Sequence, residues 1–334
     1  MLLDNPDLSG AETRAAPGRG PQPALVTIII PAHNAQAYLA GALHSALRQT
    51  YPQIEVLVID DGSTDGTAAV AQSFAPRVRY LRQENAGPST ARNTGLLHAR
   101  GEYVTFLDAD DELEPERVAA LMSALSQASS RAAFAISAAW LWDGARRYGR
   151  LQPSTGPAGE RDLDRFLDDN TPYVGILARR QTLLHAGGFR ADLWLHEDCN
   201  LWLRLLGQGH TYAYVPEPLY LYRVHDESLS QECRKQLAVA CQVYAEALVA
   251  LPLTWSQRRR TLYLLWRDRA RLCSVAGDEA RRERRLARWA LCRLAGAGAQ
   301  TARTLLRPHF TAARAWQRCA GRLSHRLFAT PKQP

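Results

Sequence analysis

Four carboxylates crowd the run VTFLDADDE at residues 104–112, where Asp108, Asp110, Asp111 and Glu112 follow an apolar, β-branched stretch. Like charges that close repel unless something offsets them. Mg²⁺ or Mn²⁺ is a natural offset, because such hard cations take one or two carboxylates together with phosphate oxygens. A second acidic pair, Asp60 and Asp61, closes the apolar run IEVLVI and leads into the turn GSTDG. A third, Glu197 and Asp198, precedes Leu201, Leu205 and Leu206 at helical spacing. Acids in a first helical turn favour the helix dipole, which is their plain structural use.

Elements that bring these groups together can be read from periodicity. Short runs VTIII (26–30), IEVLVI (54–59), VRYL (78–81) and YVTFL (103–107) alternate with helical patterns. Leu39, Leu43, Ala46 and Leu47 form the first helical stripe, with Asn34 placed to cap it, and Ala68, Ala71 and Phe74 the second. Pro88 and Ser89 open a third helix that ends near Gly101. This β-α-β order implies an α/β fold with a doubly wound, mainly parallel sheet. Ligands of such sheets bind beyond the carboxyl ends of the strands. Asn34, Asp60, Asp61, Glu84, Asn85, Asp108, Asp110 and Asp111 all fall there.

Composition excludes several classes. With 46% hydrophobic and 22% charged residues in 334, the chain reads as globular, and no apolar run reaches membrane-spanning length. The acidic start MLLDNPDLSG lacks the basic n-region of a signal peptide, so the expectation is cytoplasmic. Six cysteines show neither C-x-x-C spacing nor zinc-finger histidines, which points to buried thiols. The first turn, PAHNAQ, contains no glycine, against a dinucleotide-binding Rossmann fingerprint, and no P-loop is present. That turn also lacks the glycine-rich, arginine-containing loop of a sugar-phosphate nucleotidyltransferase.

The segments PAHN (31–34), IDDGSTD (59–65), NAGPSTARN (85–93) and FLDADD (106–111) stand in order and in register. Together they resemble the family 2 glycosyltransferases of bacterial surface-polysaccharide type, closely over residues 25–125 and more loosely to 230. The resemblance implies a GT-A type fold that binds a nucleotide-activated sugar, with a UDP-sugar the first expectation. It places Pro31, Asn34, Asp60, Asp61, Arg92 and Asp108 on the donor, with Asp61 at the base and Arg92 near the diphosphate. Asp110 of the D-x-D motif would hold Mn²⁺ or Mg²⁺, with His225 of YLYRVHDESLS as a further ligand. GGFR (187–190) and HEDCNLWLRL (196–205) are similar to the family's acceptor-side segment, which makes Asp198 the expected base and Glu197 the second candidate. The implied reaction is a metal-dependent inverting transfer to a glycan or lipid-linked hydroxyl. A nucleotidyltransferase, or a non-catalytic nucleotide-sugar-binding protein or membrane scaffold, is the alternative.

Three regions are expected: a flexible leader over 1–24, the catalytic domain over 25–230 with an acceptor half from 126, and a basic helical region over 231–334. Trp140, Trp142, Tyr148 and Tyr173 in the weakly patterned stretch 126–172 are candidates for stacking on sugars. From 231 onward 21 Arg and Lys face 6 Asp and Glu, a charge of +15, whereas the first 230 residues hold 20 against 27. Residues 235–320 read as helices, with Arg281, Arg284, Arg285 and Arg288 on one face and Leu286, Trp289, Ala290 and Leu294 on another. Such a face suits either an anionic membrane surface, making the protein peripheral on the cytoplasmic side, or a solvated cap. No recognition motif supports nucleic-acid binding.

Overall fold

A computed structural model of the protein describes residues 23–151, 159–169, 175–224 and 233–294, with side chains in the last stretch placed over 235–275. The first half follows the expected alternation: β1 (Val26–Ala32), α1 (Leu39–Leu47), β2 (Ile54–Asp61), α2 (Thr67–Gln72), β3 (Val78–Gln83), α3 (Pro88–His98) and β4 (Tyr103–Phe106). These strands lie in the order β3-β2-β1-β4, all parallel. Ile28, Ile29 and Ile30 of β1 and Leu57, Val58 and Ile59 of β2 have no exposed surface, as expected where helices cover both sheet faces. Gly95 lets α3 approach β1, since a Cβ there would sit 2.3 Å from Ile29 Cγ2.

Asn34 does not cap α1, which begins after Tyr38. It adopts a left-handed conformation with φ 49° and is pinned to the turn after β2. Its backbone N–H donates to Ser63 Oγ at 3.0 Å, and its Oδ1 accepts from the Thr64 N–H at 2.8 Å. A side chain that can bond a distant backbone has left its local helix for that partner.

The second half comprises β5 (Glu112–Leu113), α4 (Arg117–Gln127), β6 (Ala132–Trp142), β7 (Arg147–Leu151), β8 (Gly159–Arg161), α5 (Leu163–Asp169), β9 (Ile176–Arg179), α6 (Arg180–His185), α7 (Glu197–Gly207) and β10 (Thr211–Arg223). It extends the sheet as β4-β9-β6-β10-β5, with β7 on β6 and β8 on β10. β9 is antiparallel to both neighbours, whereas β10 runs parallel to β6. The core of the sheet is thus mostly parallel. Register shifts around Pro218 bend β10 so that Tyr220 pairs with Leu113 of β5, which brings its end beside the Asp108–Asp111 turn.

Two further helices follow, α8 (Cys233–Ala250) and α9 (Trp255–Leu294). One compact unit extends to Cys273 and a second covers Ser274–Pro334. The boundary expected at 230 therefore falls inside the first unit. The reason is apolar burial: Ala240, Val243 and Tyr244 of α8 and Leu264 and Leu265 of α9 belong to the same core as the sheet. Among the described residues no helix is long and apolar enough to cross a membrane.

Candidate active site

A cavity of about 930 Å³ opens at the carboxyl ends of β1, β2 and β4. Of the residues expected from sequence, it brings together Pro31, Asn34, Asp61, Arg92, Asp108, Asp110, Glu197 and Asp198. Asp60 does not line it. Adjacent residues of a strand point to opposite faces, and the fully buried Asp60 faces the far side. There it accepts from the Tyr80 hydroxyl at 2.6 Å, the Ser63 N–H at 2.8 Å and Arg82 at 3.1 Å. It is the fastener of the turn that Asn34 grips. His225 lies outside the described residues.

Asp61 is buried at the cavity wall. Its carboxylate accepts from Gln83 Nε2 at 2.7 Å and from the Ala86 and Gly87 N–H groups at 2.9 and 2.8 Å. Three donors fix its orientation before any ligand arrives and leave acceptor capacity for about one more donor. Gly87 takes φ 88°, and a Cβ there would meet the Trp194 indole at 2.8 Å, so its backbone supports that ring at the rim. Trp194 was not singled out in the sequence, where nothing marks a loop tryptophan as facing a site.

The carboxylate knot is resolved by several devices. Asp108 accepts from Arg92 Nη2 at 2.7 Å. Asp111 is buried, accepting from the Tyr220 hydroxyl and the Arg223 N–H, each at 2.7 Å. Burial, reinforced by Asp110 and Asp108, pushes the Asp111 carboxyl well above the ordinary carboxylate range. Arg223 also donates from Nε to the Asp110 carbonyl at 2.7 Å and stacks over Trp142, 4.2 Å from the ring centroid. Tyr220 and Arg223 thus hold the turn from β10, a role visible only once β10 is paired with β5.

Arg92 is committed to two acids. Its Nη1 donates to Glu197 at 2.5 Å while Nη2 holds Asp108, and the side chain is buried. Burial opposes its charge, but Asp108 and Glu197 outweigh that and keep it protonated. Its two ion pairs make it a clamp between the Asp108 turn and α7, at the wall of the cavity. Its neighbours on α3 act alike. Ser89 donates to the Leu193 carbonyl, and Asn93 donates to the Phe189 carbonyl at 2.7 Å and accepts from the Phe189 N–H at 2.9 Å. Gly188, at φ 64°, makes room: a Cβ there would lie 2.5 Å from Asn93 Oδ1. The segment NAGPSTARN is therefore a bracket for the loop 187–197 that leads into α7.

α7 starts with His196 in a left-handed conformation, φ 53°, and Glu197 and Asp198 in its first turn. Asp198 Oδ1 accepts from the Cys199 N–H at 2.6 Å. Burial raises the Asp198 carboxyl above its ordinary value, with Asp108 adding to the effect. This is the direction that makes a carboxylate a better proton acceptor. Trp202, Leu201 and Leu205 anchor the helix in the core. The far wall carries Gln236 and Tyr244 of α8 and Arg267, Asp268 and Arg271 of α9. Trp140, Trp142 and Tyr148 do not line the cavity. Trp140 instead lies under Arg150, 4.4 Å from the ring centroid, and Tyr148 is exposed. Tyr173 lies outside the described residues, and among those described Tyr38, Trp194, Tyr220, Tyr222 and Tyr244 line the cavity.

Among the described residues no three His, Cys, Asp or Glu groups gather tightly enough to hold a cation by themselves. Asp110 is half-buried at the cavity wall, and the oxygen ligands there suit a hard cation that completes its shell with ligand phosphates. The site fits an ion that arrives with a diphosphate.

Residues 27–182 match the sequence profile described as Glycosyl transferase family 2. An uncharacterized glycosyltransferase from Rickettsia typhi is 30% identical over 222 residues, 64% of this chain and 68% of the relative. The chain belongs to glycosyl transferase family 2. Six other curated relatives are matched over only 14% to 64% of their own length. Two solved structures share the GT-A fold of this chain. TarS 1-349 from S. aureus in complex with UDP-GlcNAc has TM-score 0.58 and 18% identity, covering 72% of this chain and 70% of that one. The Pyrobaculum calidifontis mannosyltransferase PcManGT in complex with GDP-Man and Mn²⁺ has TM-score 0.54 and 20% identity, covering 92% and 81%.

Proposed function

We propose that this family 2 chain transfers a sugar from a nucleoside diphosphate sugar to a hydroxyl of a glycan or lipid-linked acceptor, with inversion at the anomeric carbon. The observation that carries this reading is the meeting of Asp61, Asp110 and Asp198 in one cavity. Asp61, oriented by three donors, accepts a base N–H. A uridine donor is favoured by the UDP-GlcNAc held in TarS, and a cation by the Mn²⁺ in the mannosyltransferase.

Asp110 would hold Mn²⁺ or Mg²⁺ against the diphosphate, where its charge offsets the negative charge developing on the leaving group. Asp198 takes the proton of the acceptor hydroxyl as that oxygen attacks the face opposite the diphosphate. One displacement inverts the configuration and requires no covalent sugar intermediate. Arg92 and Glu197 position rather than react: their ion pair keeps the start of α7 against the D-x-D turn.

A thermal-shift panel of UDP- and GDP-sugars, with and without Mn²⁺, followed by product analysis by NMR, tests the reading. A metal-dependent upward shift with one donor and an inverted product is expected. Asp110→Ala should weaken metal-dependent donor binding by at least about tenfold. Unchanged affinity in that variant, or release of pyrophosphate from a nucleoside triphosphate, would contradict it.

A further inference from the structure

The inner face of α9 belongs to the core, with Thr261, Leu264, Leu265 and Asp268 buried. Its outer face is unusual for a helix that closes a soluble body. Trp255 is 76% exposed, Leu262 40%, Tyr263 67% and Trp266 45%. Trp255, Leu262 and Trp266 follow at intervals of seven and four, which puts them on one line along the helix. Arg258, Arg259 and Arg269 flank that line and are exposed. Arg259 sits 5.4 Å from the Trp255 ring centroid and Arg269 5.8 Å from that of Trp266. Between 255 and 275 there are six arginines and one acid, Asp268, and that acid is 3% exposed on the inner face. The outward face of the helix is therefore aromatic along its centre and cationic on both sides, with no acid of its own; Asp164 and Asp168 of α5 lie at its edge, where Arg260 pairs with both.

We propose that this face of α9, Trp255 to Trp266 with Arg258, Arg259 and Arg269, docks the protein on an anionic lipid surface. Indole and phenol rings settle at the level of lipid headgroups, where an apolar body and a polar edge are both satisfied. Guanidinium groups beside them pair with lipid phosphates, and the net positive face is attracted by the negative surface potential, the two neighbouring acids being paired with Arg260. The stripe is narrow, widened only by Tyr263, and bordered by charge, which suits insertion at an interface better than a broad protein contact. The same helix presents Arg267 and Arg271 to the cavity. Docking would hold this wall of the cavity near the lipid surface. The inference stands apart from the donor and base assignments and relocates the expected membrane contact from residues 281–294 to 255–269.

Flotation of the full chain with phosphatidylcholine vesicles, with and without about 30% phosphatidylglycerol, tests it at low and high salt. The wild-type chain should float with the anionic vesicles, less so at high salt, and show a blue-shifted tryptophan emission. The triple variant Trp255→Ser, Leu262→Ser, Trp266→Ser should partition at least about tenfold less, with unchanged thermal unfolding and unchanged transfer to a soluble acceptor. Because all three side chains are exposed, the variant should fold. Absence of flotation at low salt would overturn the proposal, as would wild-type flotation of the triple variant. So would loss of flotation only when Arg281, Arg284, Arg285 and Arg288 are reversed to Glu. A dimer in solution that the triple variant dissociates would also overturn it, assigning the face to a second copy of the chain.

Discussion

Replacing Asp198 by Asn lowers sugar transfer by about 10²- to 10⁴-fold, the range expected when a general base is lost, while the donor still binds. The substitution is close to isosteric, and Asn Oδ1 can still accept from the Cys199 N–H that now bonds Asp198. Stability should hold or rise at neutral pH. Burial raises the Asp198 pKa in the folded state, so protonation favours the fold below the unfolded value, and that contribution is lost as pH rises through the folded value. At neutral pH the charged form is a cost that a neutral Asn removes. The same shift sets the pH profile: wild-type transfer falls as pH drops through a value above the ordinary carboxylate range, because the base is then protonated. The residual activity of the Asn variant should lack that limb. Steady-state rates across pH with urea unfolding of both proteins check this. Near-wild-type transfer by a folded Asp198→Asn would remove the assignment, and Glu197→Gln would then be the next variant to measure.

Why some of this could be read beforehand and some could not follows from the range of the interactions. The four strands β1 to β4 and their helices depend on local periodicity, and their carboxyl ends collect the acids because a parallel sheet puts equivalent ends together. The placement of Asp61, Asp108, Asp110 and Asp198 at one cavity follows from that geometry and from the family motifs. The difference between Asp60 and Asp61 is legible in strand alternation, which sends adjacent side chains to opposite faces of β2. Other features depend on contacts across long separations. Arg92 is 105 residues from Glu197, and Tyr220 is 109 from Asp111. A β-strand pattern in AAFAISAAWLW gives no hint that β10 lies parallel beside it. Likewise, the basic composition after 231 reads as a tail, whereas burial of α8 and the start of α9 makes part of it a cavity wall.

Arg92→Met should be among the most damaging single substitutions in the chain. It removes the cation between Asp108 and Glu197 and leaves both acids without their shared partner, next to Asp198. Glu197 is nearly enclosed and Asp108 more open, with side-chain exposures of 9% and 29%. Breaking a buried ion group in this way costs about 3 to 5 kcal/mol, with the solvent-accessible Asp108 side keeping the loss toward the lower end. The sign with pH is distinctive. Burial already raises the Glu197 carboxyl against the opposing effect of Arg92, and without the arginine that opposition is gone, so its charge destabilises the fold at neutral pH. The deficit therefore shrinks as pH falls and Glu197 takes up a proton. Arg92→Lys keeps a charge but cannot bridge both carboxylates with one ammonium, and should fall between the two. Denaturant unfolding at neutral and mildly acidic pH checks the stability. Donor titration separates a clamp, in which turnover falls more than donor affinity, from a diphosphate ligand, in which affinity falls first.

The most direct test is a crystal structure of the wild-type chain with uridine diphosphate and Mn²⁺. The expected density places the base against Asp61, the ion between Asp110 and the diphosphate, and the Asp198 carboxylate facing the position a transferred sugar would occupy. Nucleotide bound elsewhere on the body, or an ion held away from Asp110 with Asp198 turned out of the cavity, would contradict the proposed site.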